Sequence, residues 1–242
     1  MIISHRKSFV IFSPWKTASS TINVRLLAYN ECPYSGFYDF NPHLNRVVHQ
    51  HLTCAEFAAL PESRLGYFGA SFVRNPYDRV YSGFQQLQKD LLMQPKATYP
   101  QDWIRDLVMG QLIKNFEQLC KAQFDFDRWF ALVDDHQVFE VGQNTSFPLH
   151  PAHYWTHVAG RQTVEFIGRV ENFETDFDAL CGRLNLDGVG RTNANVDHDH
   201  DPGADAAPPS GYRYPGRMSR RSIDKINRLF DADFALFGYD RI

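Results

Sequence analysis

A short apolar run that passes into a polar turn and then into a helical repeat occurs twice in this chain, and no other pattern in it constrains the fold as much. In the first copy, Ser8 to Phe12 reads as a buried strand and Ser13-Pro14-Trp15-Lys16-Thr17 as a loop, after which Ile22, Leu26 and Tyr29 fall on one helical face. In the second, Tyr67 to Val73 is β-branched and aromatic, Asn75 can cap, Pro76 suits a first helical position, and Val80, Phe84, Leu87 and Leu91 repeat with helical spacing. That helix is expected to stop near Met93, before Pro95.

The rest continues the alternation. Trp103 to Val133 has helical spacing with a kink or break expected at Gly110, Gln137 to Val141 reads as a strand, and Val164 to Gly168 as another. Asn172 to Leu186 follows as a helix with Phe173, Phe177, Leu180 and Leu184 on one face, and Ser219 to Phe237 as the last, carrying Ile223, Ile226, Phe230 and Phe234. Strands joined by helices predict one α/β domain over residues 1–242, with a mainly parallel central sheet flanked by helices and ligands at the carboxyl ends of its strands. Residues 197–211, from Asp197-His198-Asp199-His200-Asp201-Pro202 onward, are too polar and too rich in Pro and Gly to pack, and are expected to form a flexible loop.

Composition removes several classes of function. With 25 Lys+Arg against 28 Asp+Glu, the net charge of −3 does not suit a nucleic-acid binder. The longest apolar runs, such as Phe9 to Phe12, are far short of a membrane span, and no signal-peptide pattern precedes them, so a cytoplasmic protein is expected. Cys32, Cys54, Cys120 and Cys181 have no CxxC spacing and are read as buried free thiols. His153 and His157 are four apart without an HExxH arrangement or a cysteine cluster, so no metal is expected.

Chemistry concentrates in the two strand–loop–helix units. Lys16-Thr17-Ala18-Ser19-Ser20-Thr21 sets an ammonium, several hydroxyls and a run of backbone N–H groups at a helix start, which suits an anion; an ordinary Ser/Thr helix cap is the alternative. The glycines of GxxxxGK[ST] are missing, which argues against nucleoside triphosphate hydrolysis. Arg74 at a strand end, with Ser82 in the next helix, suits a second phosphate, unless Arg74 pairs with Asp78.

Together these segments resemble the sulfotransferases that use 3′-phosphoadenosine 5′-phosphosulfate (PAPS), especially the carbohydrate sulfotransferase branch and its bacterial relatives. Lys16 to Thr21 is similar to that family's 5′-phosphosulfate loop, and Phe72-Val73-Arg74-Asn75-Pro76-Tyr77-Asp78-Arg79-Val80-Tyr81-Ser82 to its 3′-phosphate motif. Phe166 to Phe173 and Asp233 to Tyr239 also resemble family segments, so the likeness runs from residue 8 to the end. One departure is Trp15, where these loops more often carry Pro directly before the Lys; here Pro14 lies one place earlier.

The resemblance implies a P-loop nucleotide-kinase-like fold and transfer of a sulfuryl group from PAPS to a hydroxyl of a carbohydrate or glycoconjugate. Lys16 would act on the leaving phosphate, the loop would hold the 5′-phosphate, and Arg74 and Ser82 the 3′-phosphate. His51 is the favoured base, by its Thr53 and Glu56 context, with His49 as the other candidate and a packed or capping histidine as the bland reading. Arg213 and Arg217, in a basic segment over 212–228, are candidates for further donor contacts. The acceptor is expected among the loops Pro33 to Pro42 and Pro148 to His157. Two rival functions remain: an ATP-dependent small-molecule kinase on a related fold, and a non-catalytic module binding nucleotide or glycan through Tyr154, Trp155 and the basic segment.

Overall fold

The computed structural model describes residues 1–34, 38–93, 99–142, 146–191 and 213–242, with the main chain alone at 91–93. The chain opens with β1 (Ile2–Ser4), β2 (Phe9–Phe12), α1 (Ser19–Arg25), β3 (Asp39–Asn41), β4 (Arg46–Val48) and α2 (Cys54–Ala58). Next come β5 (Phe68–Val73), α3 (Pro76–Met93), α4 (Asp102–Lys121), α5 (Phe126–Leu132) and α6 (Asp135–Phe139). The closing elements are β6 (His157–Val158), β7 (Arg161–Gln162), β8 (Phe166–Arg169), α7 (Phe173–Leu184), α8 (Arg220–Leu229) and α9 (Asp231–Phe237). They form two compact units: Met1–Gly36, Gln50–Arg74 and Ala152–Ala207 in one, Phe37–His49, Asn75–Pro151 and Pro208–Ile242 in the other. The expected loop at 197–211 lies outside the described residues.

The first unit is built on a sheet of order β1-β2-β5-β8, with β2, β5 and β8 parallel and β1 antiparallel to β2. Side chains alternate across it. Phe9, Ile11, Ala70 and Phe72 pack on Ile22 of α1, on Leu26 just after it and on Phe177, Leu180 and Leu184 of α7, while Phe12 on the opposite face meets Phe57 of α2 edge-on at 5.3 Å. This is the mainly parallel, helix-flanked sheet that the alternation predicts. Gly168 lies against Phe72 so closely that a β-carbon there would stand 2.5 Å from the ring, so the position admits no side chain.

In the second unit, Asn75 accepts from the Tyr77 amide at 2.9 Å and Pro76 opens α3, as expected. Val80, Phe84 and Leu87 are buried; the Leu91 side chain lies outside the described residues. Phe84 packs with Phe126, Trp129 and Tyr81. The β3–β4 hairpin, not anticipated from sequence, sets Tyr38 and Val47 on Ile104, Val108 and Leu112 of α4. Arg79 is wholly buried, 3.3 Å from the equally buried Asp233, with Nη1 donating to the His150 carbonyl at 2.8 Å.

Three expected elements differ. Residues 137–141 do not form a strand: Asp134 and Gln137 close a capping box that starts α6, and this local cap outweighs the β-branched and aromatic character of Val138 and Phe139. Gly110 does not break its helix, because nothing crowds it and α4 runs on to Lys121; the chain turns instead at Gln123 and Phe124, both with positive φ. The last helix is two, divided at Phe230, whose buried ring lies under the Arg79 guanidinium. Of the cysteines, Cys32, Cys54 and Cys181 are buried free thiols as expected, but Cys120 is exposed. No helix among the described residues is long and apolar enough to cross a membrane.

Candidate functional site

β2 and β5 are adjacent and parallel, in register at Phe12 and Ser71, so the turns that follow them emerge at the same end of the sheet. Lys16 and Arg74 both lie just past that end. In the first turn the Thr17 hydroxyl donates to the Pro14 carbonyl at 2.9 Å, and Lys16 and Ala18 adopt left-handed backbone with φ of 64° and 62°. Such alternation of hand turns successive N–H groups toward one concavity, the arrangement that receives anions. α1 then starts with Ala18 at its cap and no side chain capping it. The hydroxyls of Ser19, Ser20 and Thr21 have no hydrogen-bond partner among the described residues. An ordinary Ser/Thr cap is therefore not what this stretch provides, and of its hydroxyls Thr17 is spent on the turn itself.

His51 is tied to the same turn. Its Nδ1 lies 2.5 Å from the Ser13 carbonyl oxygen, and since a carbonyl only accepts, Nδ1 carries the proton and Nε2 is the basic nitrogen of the neutral ring. The imidazole stacks on Trp15 with centroids 3.9 Å apart and planes 28° from parallel. Trp155, wholly buried, donates its indole N–H to the His51 carbonyl at 3.1 Å. The start of α2 is capped by Thr53 and Glu56 in a capping box, so His51 has no capping role.

His49, the other candidate, belongs to the second unit, where its ring meets Tyr38 edge-on at 4.8 Å. Burial pushes its pKa down to about 3, which leaves a neutral ring of low basicity. The two histidines thus divide cleanly.

Arg74, half-buried where β5 ends, has neither an ion pair nor a hydrogen bond among the described residues. The expected rival partner, Asp78, accepts from the backbone N–H groups of Arg213 and Tyr214 at 3.2 and 3.0 Å. A half-buried guanidinium without a carboxylate has its fork of donors available to an oxyanion. Ser82 lies on α3 in the second unit, buried, with its hydroxyl unpartnered among the described residues. So the first unit brings together Lys16 to Thr21, His51 and Arg74, and Ser82 stands in the second.

Other candidates fare differently. In the basic segment Arg220 pairs with Asp224 and Arg228 with Asp135, and the Lys225 ammonium donates to the Phe130 and Val133 carbonyls at 2.7 and 2.6 Å. Trp155 is buried, so it offers no surface to a glycan. Among the described residues no cluster of His, Cys, Asp or Glu could hold a metal ion. His198 and His200 lie outside the described residues, as does part of the first acceptor loop. The contacts of Trp15 and Trp155 with His51 were not legible from the sequence; the one signal was the displaced proline, which left a large aromatic beside the lysine.

Comparison with known proteins identifies a family. The model described as the sulfotransferase family matches residues 1–240, nearly the whole chain. No curated protein and no solved structure matches it.

Proposed function

The chain belongs to the sulfotransferase family, and from that premise we propose that it moves a sulfuryl group from PAPS to a hydroxyl of a carbohydrate or glycoconjugate. The observation that carries the choice of donor is Arg74: a guanidinium at the carboxyl end of β5, past the same sheet end as the Lys16 turn and without a partner among the described residues, fits the extra phosphate that distinguishes PAPS from ATP. PAPS supplies a sulfuryl group already joined to a phosphate leaving group. The backbone amides of the Lys16 turn bind the 5′ end, and the Lys16 ammonium offsets charge gathering on the departing phosphate oxygen. His51 Nε2 takes the proton from the acceptor hydroxyl, while Nδ1–H stays on the Ser13 carbonyl and keeps the ring in that tautomer.

The test is a thermal-shift titration with 3′-phosphoadenosine 5′-phosphate (PAP) beside ATP–Mg²⁺. At 100 times Kd a ligand adds about 2.7 kcal/mol, and a chain of this size gains roughly 5 to 11 °C from it. A shift with PAP and none with ATP–Mg²⁺ supports the reading. An equal response to both moves the chain toward a kinase-like donor, and no response to either removes PAPS as the donor.

A further inference from the structure

The turn that carries Lys16 also holds His51, at two points. Ser13 contributes its carbonyl to Nδ1 at 2.5 Å, and Trp15, the next residue but one, lays its indole against the imidazole at 3.9 Å. A single hydrogen bond through Nδ1 fixes one atom of the ring and leaves the ring free to swing about that bond. The stack removes this freedom by fixing the plane. Behind the residue, Trp155 fixes the His51 backbone through its carbonyl. Two segments far apart in sequence therefore converge on one histidine that is itself mostly buried.

We propose that Trp15 is a positioning residue for the proton acceptor, its indole face holding the His51 ring in the plane at which Nδ1–H meets Ser13 and Nε2 is presented for proton transfer. The proposal rests on the reading of His51 as the base. It accounts for an aromatic directly before the lysine: the side chain that borders the ammonium sets the histidine, so the two reactive groups keep a fixed separation within one turn. Because Lys16 and the loop amides bind donor through atoms other than the indole, loss of the indole acts on turnover and leaves donor affinity in place.

Trp15→Leu, Trp15→Phe, His51→Ala and the Trp15→Leu/His51→Ala pair test this. PAP affinity by calorimetry and turnover of PAPS with octyl β-D-glucoside (or with water where the wild type does not use that glycoside) are measured on each, and the ¹⁵N spectrum of the His51 ring on the wild type and the two single Trp15 variants. Trp15→Leu is expected to lower kcat by about 10- to 100-fold, as a misplaced group does. PAP affinity should stay within about threefold, and the ring should keep its Nδ1–H tautomer on Ser13 while its ¹⁵N lines broaden as the ring gains motion. Trp15→Phe, which keeps a stacking face, should retain most of the activity. In the His51→Ala background Trp15→Leu should add less than about a twofold loss, since residues acting as a unit are not additive.

An unchanged kcat and an unchanged ¹⁵N line width of the His51 ring in Trp15→Leu would overturn the proposal. So would PAP affinity falling in step with kcat, or the same loss of kcat with and without His51. Wild-type turnover in His51→Ala refutes the base assignment by itself, and the ¹⁵N comparison still decides whether Trp15 orients the ring. If Trp15→Leu does not fold, Trp15→Met takes its place.

Discussion

Arg74→Ala separates a binding group from a structural one, because Arg74 has no partner among the described residues. A paired arginine leaves a stranded carboxylate when it is removed, which is strongly destabilising for a buried pair. Here nothing is stranded, and the unliganded variant should stay within about 0.5 kcal/mol of the wild type, as surface substitutions do. The liganded state should behave differently. A hydrogen bond to a charged group contributes about 1.5 to 3 kcal/mol, so losing even one phosphate contact weakens PAP by roughly 10- to 150-fold. At a PAP concentration of 100 times the wild-type Kd, the stabilisation then falls from about 2.7 to about 0.3–1.3 kcal/mol. In melting temperature, a shift of roughly 5–11 °C becomes roughly 1–5 °C. The assay is differential scanning fluorimetry on both proteins with and without PAP. A full shift in Arg74→Ala would remove Arg74 from the donor site. A drop of more than about 4 °C without ligand, the equivalent of 1–2 kcal/mol, would mean that the guanidinium is holding the fold together.

Three further substitutions probe the framework. Asp233→Ala strands the Arg79 guanidinium in a site where both groups are buried, and should cost about 3–5 kcal/mol, read as a lower urea midpoint at unchanged m-value; a loss below about 1 kcal/mol would refute the burial argument. Gly168→Ala drives a methyl into the Phe72 ring at 2.5 Å, and with Phe166, Phe173 and Phe177 around that ring it should cost about 1–3 kcal/mol; a wild-type melting temperature would show that the strands can part there. Ala18→Gly relieves about 1–2 kcal/mol of left-handed strain against about 0.5–1 kcal/mol of added unfolded-state entropy, so the melting temperature should hold or rise, and a clear fall would contradict the φ of 62°.

What the sequence disclosed, and what it hid, follows from the range of the interactions. β2, β5, α1, α3 and α7 were legible because each carries its own periodicity and, for α3, its own cap at Asn75. The strand wrongly expected at 137–141 shows the limit of composition: Val138 and Phe139 favour a strand, but the short-range bonds between Asp134 and Gln137 decide the matter. The hairpins β3–β4 and β6–β7 are only two or three residues deep, too short for alternation to register. At the site, Lys16 and Arg74 stood out as strand-end residues in sequence. His51 was preferred to His49 in sequence for its Thr53 and Glu56 context; what stayed hidden is their surroundings, Tyr38 against His49 and Ser13 and Trp15 against His51. That Asp78 is taken up by Arg213 and Tyr214, from the far end of the chain, has no local signature at all.

The turn at residues 13–18 also shows how a strand-to-helix turn with this backbone persists without glycine. Two non-glycine residues with positive φ cost about 1–2 kcal/mol each, a strain that survives only where the surroundings over-determine the backbone. Two hydrogen bonds hold its carbonyls: the Thr17 hydroxyl on Pro14 and the His51 ring on Ser13. Each contributes about 0.5–1.5 kcal/mol net, so together they offset about 1–3 kcal/mol of the strain. The stack of Trp15 on His51 joins two side chains and leaves the backbone to these two bonds, so removing the indole should not release Lys16 from its left-handed conformation.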